Sequence, residues 1–159
     1  MRQFVDCGGN TWLIQLNVDT IKRVRDLIKV DLTDVAAGDP PLIVRLGTDV
    51  ILLCDVLFAV CAAQASKAGV TDEEFGRAMG GDALLAGSTA LMEELTDFFQ
   101  KLGRREVATM IRTHQRLVTT AVSAVESRLA AVDVERMVLD EIAKSLGGRL
   151  SGNVPASSV

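Results

Sequence analysis

The chain opens with a stretch in which apolar residues alternate with polar ones. Phe4 precedes the turn residues CGGN, and Trp12, Ile14 and Leu16 then recur at every second position. Alternation at a period of two beside a Gly-Gly turn is typical of a β-hairpin. Because an isolated hairpin is only marginally stable in water, we expect it to lie on the helices that follow or to pair with another chain.

Beyond the hairpin the apolar spacing changes to three and four residues, which is the period of a helix. Asn17 or Asp19 can cap this first helix. Pro40 and Pro41, in the following AAGDPP loop, suit the position just before or at the start of a short helical turn, LIVRL. The predicted apolar face of the first helix consists of Ile21, Val24, Leu27 and Ile28.

The most hydrophobic window runs from Val50 to Ala63 and contains one charged residue, Asp55. Its 14 residues are fewer than the ~20 that a membrane-spanning helix needs. We therefore interpret it as a buried core helix, capped by Thr48 or Asp49 and ending near Gly69, with no role in a membrane.

The acidic stretch TDEE at residues 71–74 predicts the start of another helix. Thr71 and Glu74 have the spacing of a capping box, in which each side chain accepts a hydrogen bond from the other residue's backbone N–H. The acidic residues also suit the positive end of the helix dipole. We interpret them as a helix start rather than as a metal or catalytic site.

Gly80 and Gly81 interrupt the pattern, and Asp82 is predicted to cap the helix that follows. The predicted inner face of this helix consists of Leu84, Leu91, Met92, Leu95, Phe98 and Phe99.

The longest helical pattern extends from Arg104 to Leu146. At ~1.5 Å per residue an unbroken helix would be about 64 Å long, too long for a compact domain of this size. The helix therefore either breaks near AAVDVE, residues 130–135, or projects and pairs with another helix. We expect an apolar stripe on it to bind a second copy or a partner helix, through Val107, Ile111, Val118, Val125, Leu129 and Val132.

These patterns predict a mainly α fold, with an N-terminal β-hairpin followed by a helical bundle and a long C-terminal helix. The predicted parts are a hairpin and helical core at 1–102, the long helical segment at 103–146, and a disordered tail at 147–159. The 159 residues are 48% hydrophobic but only 4% aromatic, with no tyrosine. An apolar content of mostly Leu, Val, Ala and Ile favours helix packing over a β-sandwich.

Charge and cysteine content narrow the choice of partner and compartment. The net charge of −4 gives no reason to expect nucleic acid. Cys54 and Cys61 lie about 10 Å apart along one helix, too far for a disulfide, and Cys7 is distant in sequence. This odd number of scattered cysteines suggests a reducing compartment, and MRQFVDCGGN lacks the apolar core of a signal peptide.

Few residues suggest chemistry. The single histidine, His114, has no cysteine or histidine at ligand spacing, so we interpret it as a packed or half-exposed residue. Asp55 is expected to pair with an arginine, such as Arg45 or one from the first helix, or to face water at an edge. We expect no cofactor, no metal and no enzymatic activity; an enzyme would need a deep polar pocket, centred for example on Asp55 or His114.

A basic cluster precedes and enters the last helix. Such a cluster is usually a solvated face, although it could also dock an acidic partner or nucleic acid. Acidic residues just upstream, at 93, 94 and 97, could neutralise it within the protein or between copies. The cluster consists of Lys101, Arg104, Arg105, Arg112 and Arg116.

Four segments together carry a resemblance. They are FVDCGGNTW, DTIKRVRDLIKVDLTDV, LLCDVLFAVCAAQASKAGVTDEEFGRAMGGDAL and ALMEELTDFF. In this order, over roughly residues 3 to 116, the chain resembles small tail proteins of tailed bacteriophages and prophages, in particular tail assembly chaperones.

The resemblance implies a mainly helical protein that associates with the long helical tape-measure protein, or another tail protein, during tail assembly in the host bacterial cytoplasm. It also implies a protein that is not an enzyme and binds no cofactor. No functional residue of the family transfers to a position in this chain. The alternative is a structural virion component or a helical adaptor without a chaperone role.

Overall fold

The structure is a computed structural model that describes residues 1–132 and 134–150, of which 149 and 150 are described by their backbone alone. The described chain is mostly helical with an N-terminal two-stranded hairpin, which confirms the predicted fold class. Its elements are β1 (Arg2–Val5), β2 (Thr11–Ile14), α1 (Val18–Ile28), α2 (Leu42–Thr48), α3 (Val50–Ala68), α4 (Asp72–Ala78), α5 (Gly81–Lys101), α6 (Arg105–Ala131) and α7 (Val134–Leu150).

The hairpin is antiparallel and places Phe4 opposite Trp12, both buried. The carboxylate of Asp6 organises its turn. It accepts hydrogen bonds from the backbone N–H groups of Gly8 and Asn10, from the Asn10 amide, and at 2.8 Å from the Trp12 indole. The predicted hairpin is confirmed, and it packs on α3 and α5.

Helix α1 begins at the predicted cap, because the Asn17 side chain accepts a hydrogen bond from the first turn. Ile21 and Val24 are buried and Ile28 is half-buried. The prediction for Leu27 is wrong, since 56% of this residue is exposed. At 100° per residue, Leu27 lies at the edge of the face that the other three share.

Helix α3 is the central element and contacts β2, α1, α2, α4 and α5. The Asp49 carboxylate caps it and Gly69 closes it in the left-handed conformation, as predicted. Leu57 is fully buried, but 61% of Val50 and 71% of Ile51 are exposed. The prediction of a core helix is therefore correct for the body of α3 and wrong for its first two residues.

Within the described chain, α3 is the one helix with the length and hydropathy to cross a membrane, at 19 residues. Core helices of soluble proteins have the same properties, and α3 contacts five neighbouring elements, with 39% of its apolar window buried.

Helix α4 starts with the predicted capping box. The Glu74 backbone N–H donates to the Thr71 hydroxyl at 3.2 Å, and the Thr71 N–H donates to the Glu74 carboxylate at 2.8 Å. The buried ring of Phe75 then meets Trp12 and Phe58 edge-on, with centroids 5.0 and 5.4 Å away. The capping box thus positions the helix that joins the hairpin to α3.

The predicted cap of α5 is wrong, because the helix begins at Gly81, two residues before the start that a cap at Asp82 would give. Gly80 is the N-cap, without a side-chain hydrogen bond, and Asp82 lies inside the first turn. The inner face is as predicted: Leu91, Met92, Leu95 and Phe99 are buried, and Leu84 and Phe98 are half-buried.

The chain forms two compact units. The first comprises Met1–Arg116, and the described residues from Leu117 onward belong to the second. Ala108 and Ile111 of α6 are buried in the core of the first unit, so the predicted division at 102/103 falls inside that unit.

The long helical pattern is interrupted. Helix α6 ends at Ala131 and α7 begins at Val134, which confirms the alternative of a break near residues 130–135. The predicted disordered tail does not begin at 147, because residues 147–150 continue α7 as a helix. The rest of that predicted tail, 151–159, lies outside the described residues.

Candidate partner-binding surface

The six residues predicted to bind a partner divide into two groups. Val107 is half-buried and Ile111 is fully buried, both in the first unit. Ile111 belongs to the core there, because its side chain completes the packing around the first turns of α6, and it is not accessible to a partner. The other four are exposed: Val118, Val125, Leu129 and Val132.

A fifth exposed residue completes a regular row. Val122, which the sequence analysis did not select, is 52% exposed and lies between Val118 and Val125. The resulting spacing of 4, 3, 4 and 3 residues is the heptad spacing of helices that pair along one seam. We call Val118, Val122, Val125, Leu129 and Val132 the α6 stripe; it is about 21 Å long at ~1.5 Å per residue.

Helix α7 adds a second set of exposed apolar side chains. Every described side chain from 117 to 148 is exposed, so the helices of the second unit do not cover each other's apolar positions. Monomeric soluble proteins rarely leave large contiguous apolar patches uncovered. The exposed set on α7 is Val134, Met137, Val138, Leu139, Ile142 and Leu146.

His114 lies half-buried against α2. A Cβ atom at Gly47 would lie 3.7 Å from its Nε2 atom. This confirms the prediction of a packed, half-exposed histidine. The described residues contain no group of three or more His, Cys, Asp or Glu side chains that could hold a metal ion.

The two cysteines of α3 are poorly suited to nucleophilic chemistry. Burial raises the pKa of the Cys61 thiol to about 12, and burial with the nearby Asp55 charge also raises the pKa of Cys54. Both thiols are therefore protonated at neutral pH, and the thiolate is the reactive form. Cys7 is exposed in the hairpin turn.

Asp55 lies at a partly exposed edge of α3, which is the second of the two environments predicted for it. It is half-buried, and burial followed by the carboxylates of Asp72 and Asp49 raises its pKa. Among the described residues no arginine or lysine forms an ion pair with it. The predicted pairing with Arg45 or with an arginine of α1 is therefore wrong; Arg23 and Arg25 of α1 pair with Asp19 and Asp31 instead.

Two of the acids upstream of the basic cluster form ion pairs with the N-terminal strand. Glu93 and Asp97 pair with Arg2, at 3.4 and 2.9 Å. Within the cluster, Arg104 lies 3.6 Å from Glu106. The acidic residues of α5 thus bind β1 to this helix through ion pairs.

The grooves of the first unit are open to solvent. One of about 480 Å³ lies between β2 and the end of α3 and is lined by residues that include Trp12, Leu13 and Gln64. Another, of about 240 Å³, lies beside the Arg2 ion pairs. Neither contains Asp55 or His114.

The fold and this surface define a small, mainly helical protein whose C-terminal helices present apolar side chains to solvent. No family model, curated protein or solved structure matches the chain.

Proposed function

We propose that this protein is a non-enzymatic assembly factor of the tail assembly chaperone type, which binds an amphipathic helix of a tape-measure protein in the host cytoplasm. The observation that supports the proposal is the exposed α6 stripe together with the apolar side chains of α7. Amphipathic helices dock by laying their apolar face against such a surface.

The spacing of the stripe supports a helical partner. Successive gaps of four and three residues keep Val118 to Leu129 on one side of α6, where side chains interlock with those of a second helix, and Val132 follows directly after the last residue of α6. A globular partner would not require this regularity. The order of the elements from the hairpin to α5, which resembles that of tail assembly chaperones, supports the choice of partner.

The size of the surface indicates that both helices are needed. Full burial of a valine or leucine contributes ~1.5–3 kcal/mol, so side chains that are already half covered contribute about 1 kcal/mol each. The five residues of the stripe then contribute about 5 kcal/mol, near the lower end of the ~4–15 kcal/mol that association costs. Stable binding therefore requires the apolar residues of α7 as well.

Co-expression with the tape-measure protein encoded in the same genome tests the proposal. We expect the two proteins to purify together, and the double variant Val118→Glu/Val125→Glu to lose the partner while remaining soluble. Leu85→Glu is the matched control, because Leu85 is an exposed leucine on α5, 69% accessible. Failure of the wild-type chain to retain the tape-measure protein would reject the chaperone function.

A further inference from the structure

A second apolar surface lies on the first unit, at the start of α3. A helix that is apolar all round is expected to be covered all round. Yet 71% of Ile51 is exposed, and Asp55, Phe58 and Ala62 are half-exposed. These four residues, spaced by four, three and four, lie on one side of α3, and we call them the α3 face.

The α3 face has an acidic border. Phe58 meets Phe75 of α4 edge-on at 5.4 Å, which brings the start of α4 beside the face. Asp72, in the first turn of α4, is close enough to Asp55 to raise its pKa, and Asp49 acts in the same direction from the N-terminal end of α3. The carboxylates of Asp72 and Asp49 therefore repel that of Asp55.

The charge of the border is not compensated within the first unit. In the part of the chain that the structure describes, none of the three carboxylates forms an ion pair. Asp49 accepts two backbone hydrogen bonds as the cap of α3, at 3.1 and 3.0 Å, but these donors carry no formal charge. A ligand that brings positive charge would relieve the repulsion.

The chemistry of the face selects one kind of occupant. A bare cation would leave Ile51 and Phe58 exposed, and an anionic lipid surface would be repelled by the acidic border. The apolar row from Ile51 to Ala62 is about 16 Å long at ~1.5 Å per residue, which is three helical turns. A helix with one apolar face and lysine or arginine beside it satisfies both the apolar row and the carboxylates.

We propose that the α3 face docks a cationic amphipathic helix of a partner protein, with its apolar side chains on Ile51 and Phe58 and its basic side chains beside Asp55 and Asp72. The face is separate from the α6 stripe and does not depend on the function proposed for it.

A pair of synthetic helices tests the proposal on the full chain. One is an amphipathic peptide of leucine and lysine; in the other, glutamate replaces each lysine. Because the α6 stripe is itself proposed to bind an amphipathic helix, the protein used for the titration carries Val118→Asn/Val125→Asn. Isothermal titration should show saturable binding of the lysine peptide, weakened by added salt, and no binding of the glutamate peptide. Equal binding of both peptides would overturn the proposal.

Variants locate the binding. Ile51→Asn should weaken the lysine peptide roughly tenfold, and Asp55→Asn about two- to fivefold. Leu85→Asn, at a comparably exposed leucine, should leave the affinity unchanged. Asp55→Asn removes a carboxylate that its acidic neighbours repel, so the melting temperature of this variant should stay equal to that of the wild type or rise. Weaker peptide binding by this variant therefore cannot be ascribed to unfolding.

Two results would overturn the assignment. One is peptide affinity that neither Ile51→Asn nor Asp55→Asn changes. The other is a concentration-dependent rise in mass of the free protein that Ile51→Asn abolishes, since a second copy would then be the occupant of the face.

Discussion

At the scale of single residues, the best-connected polar group is Asp6. Burial acts to raise its pKa, but hydrogen bonds from Trp12, Asn10 and Gly8 outweigh burial and lower the pKa below its ordinary value.

The local spacing of Thr71 and Glu74 was enough to predict their capping box. The role of Asp6 was not predictable, because its indole donor is recognised only once the turn folds.

Replacing Asp6 should destabilise the first unit. In Asp6→Ala, the buried Trp12 indole N–H loses its acceptor, and we expect the free energy of unfolding to fall by ~1–3 kcal/mol in urea titrations. Asp26→Ala, at an exposed position on α1, is the control and should change it by less than about 0.5 kcal/mol. Equal effects of the two substitutions would contradict the role assigned to Asp6.

Asp31 makes the stability sensitive to acid. Hydrogen bonds from Thr33 and Arg25 lower its pKa from 3.8 to about 2. A lowered pKa in the folded state means that the carboxylate stabilises the fold above the unfolded pKa, and that this contribution is lost as the pH falls from about 4 to about 2. Asp31→Asn should therefore flatten the decline in melting temperature over this window. An unchanged slope would show that Asp31 is not responsible.

At the scale of elements, capping residues made the helix ends predictable. Asp49 and Gly69 lie directly at the two ends of α3, so the residues that determine each helix end are local in the sequence. Which turn of an apolar helix is covered depends on elements distant in sequence. For this reason the exposure of Val50 and Ile51 was missed, and with it the α3 face.

Two substitutions in α3 should differ sharply. Leu57→Ala removes a fully buried side chain and should lower the free energy of unfolding by ~2–5 kcal/mol. Ile51→Ala removes one that is 71% exposed and should change it by less than about 0.5 kcal/mol. Comparable losses, measured by chemical denaturation, would contradict the burial pattern of this helix.

Alanine substitutions at two glycines should change the melting temperature in opposite directions. A Cβ atom at Gly87 would lie 2.7 Å from Leu57 Cδ1, whereas one at Gly76 would meet nothing within 4 Å. Overpacking lowers the free energy of unfolding by ~1–3 kcal/mol, whereas replacing a helical glycine with alanine raises it by up to about 1 kcal/mol. Gly87→Ala should therefore lower the melting temperature and Gly76→Ala should raise it. A rise for both would show that α3 and α5 pack less closely than described.

At the scale of the whole molecule, the sequence predicted the helical pattern but not its division. Apolar residues recur along α6 without a change of period, although Ile111 lies in the core and Val118 is exposed. Periodicity reports which residues share a side of a helix, and tertiary packing decides how far the core extends along it. The apolar surface was therefore predictable as a stripe, while its boundary and Val122 were not.

Self-association stays a prediction of the sequence. We expect light scattering after size-exclusion chromatography to give a multimer for the wild type at micromolar concentration, because the exposed stripe can pair with that of another copy. Val118→Glu/Val125→Glu should shift the mass towards that of the monomer, with the first unit still folded. A wild type that is monomeric throughout this range would contradict self-association.

Hydrogen–deuterium exchange on the proposed complex with the tape-measure protein tests whether the helices after Arg116 bind the partner. In the free chain, amides of the solvent-exposed helices after Arg116 should exchange quickly, since little packing opposes local opening. In the complex, we expect slowed exchange from Leu117 to Val132 and along α7. A complex that forms while these segments exchange as fast as in the free chain would contradict the assignment of the partner-binding surface.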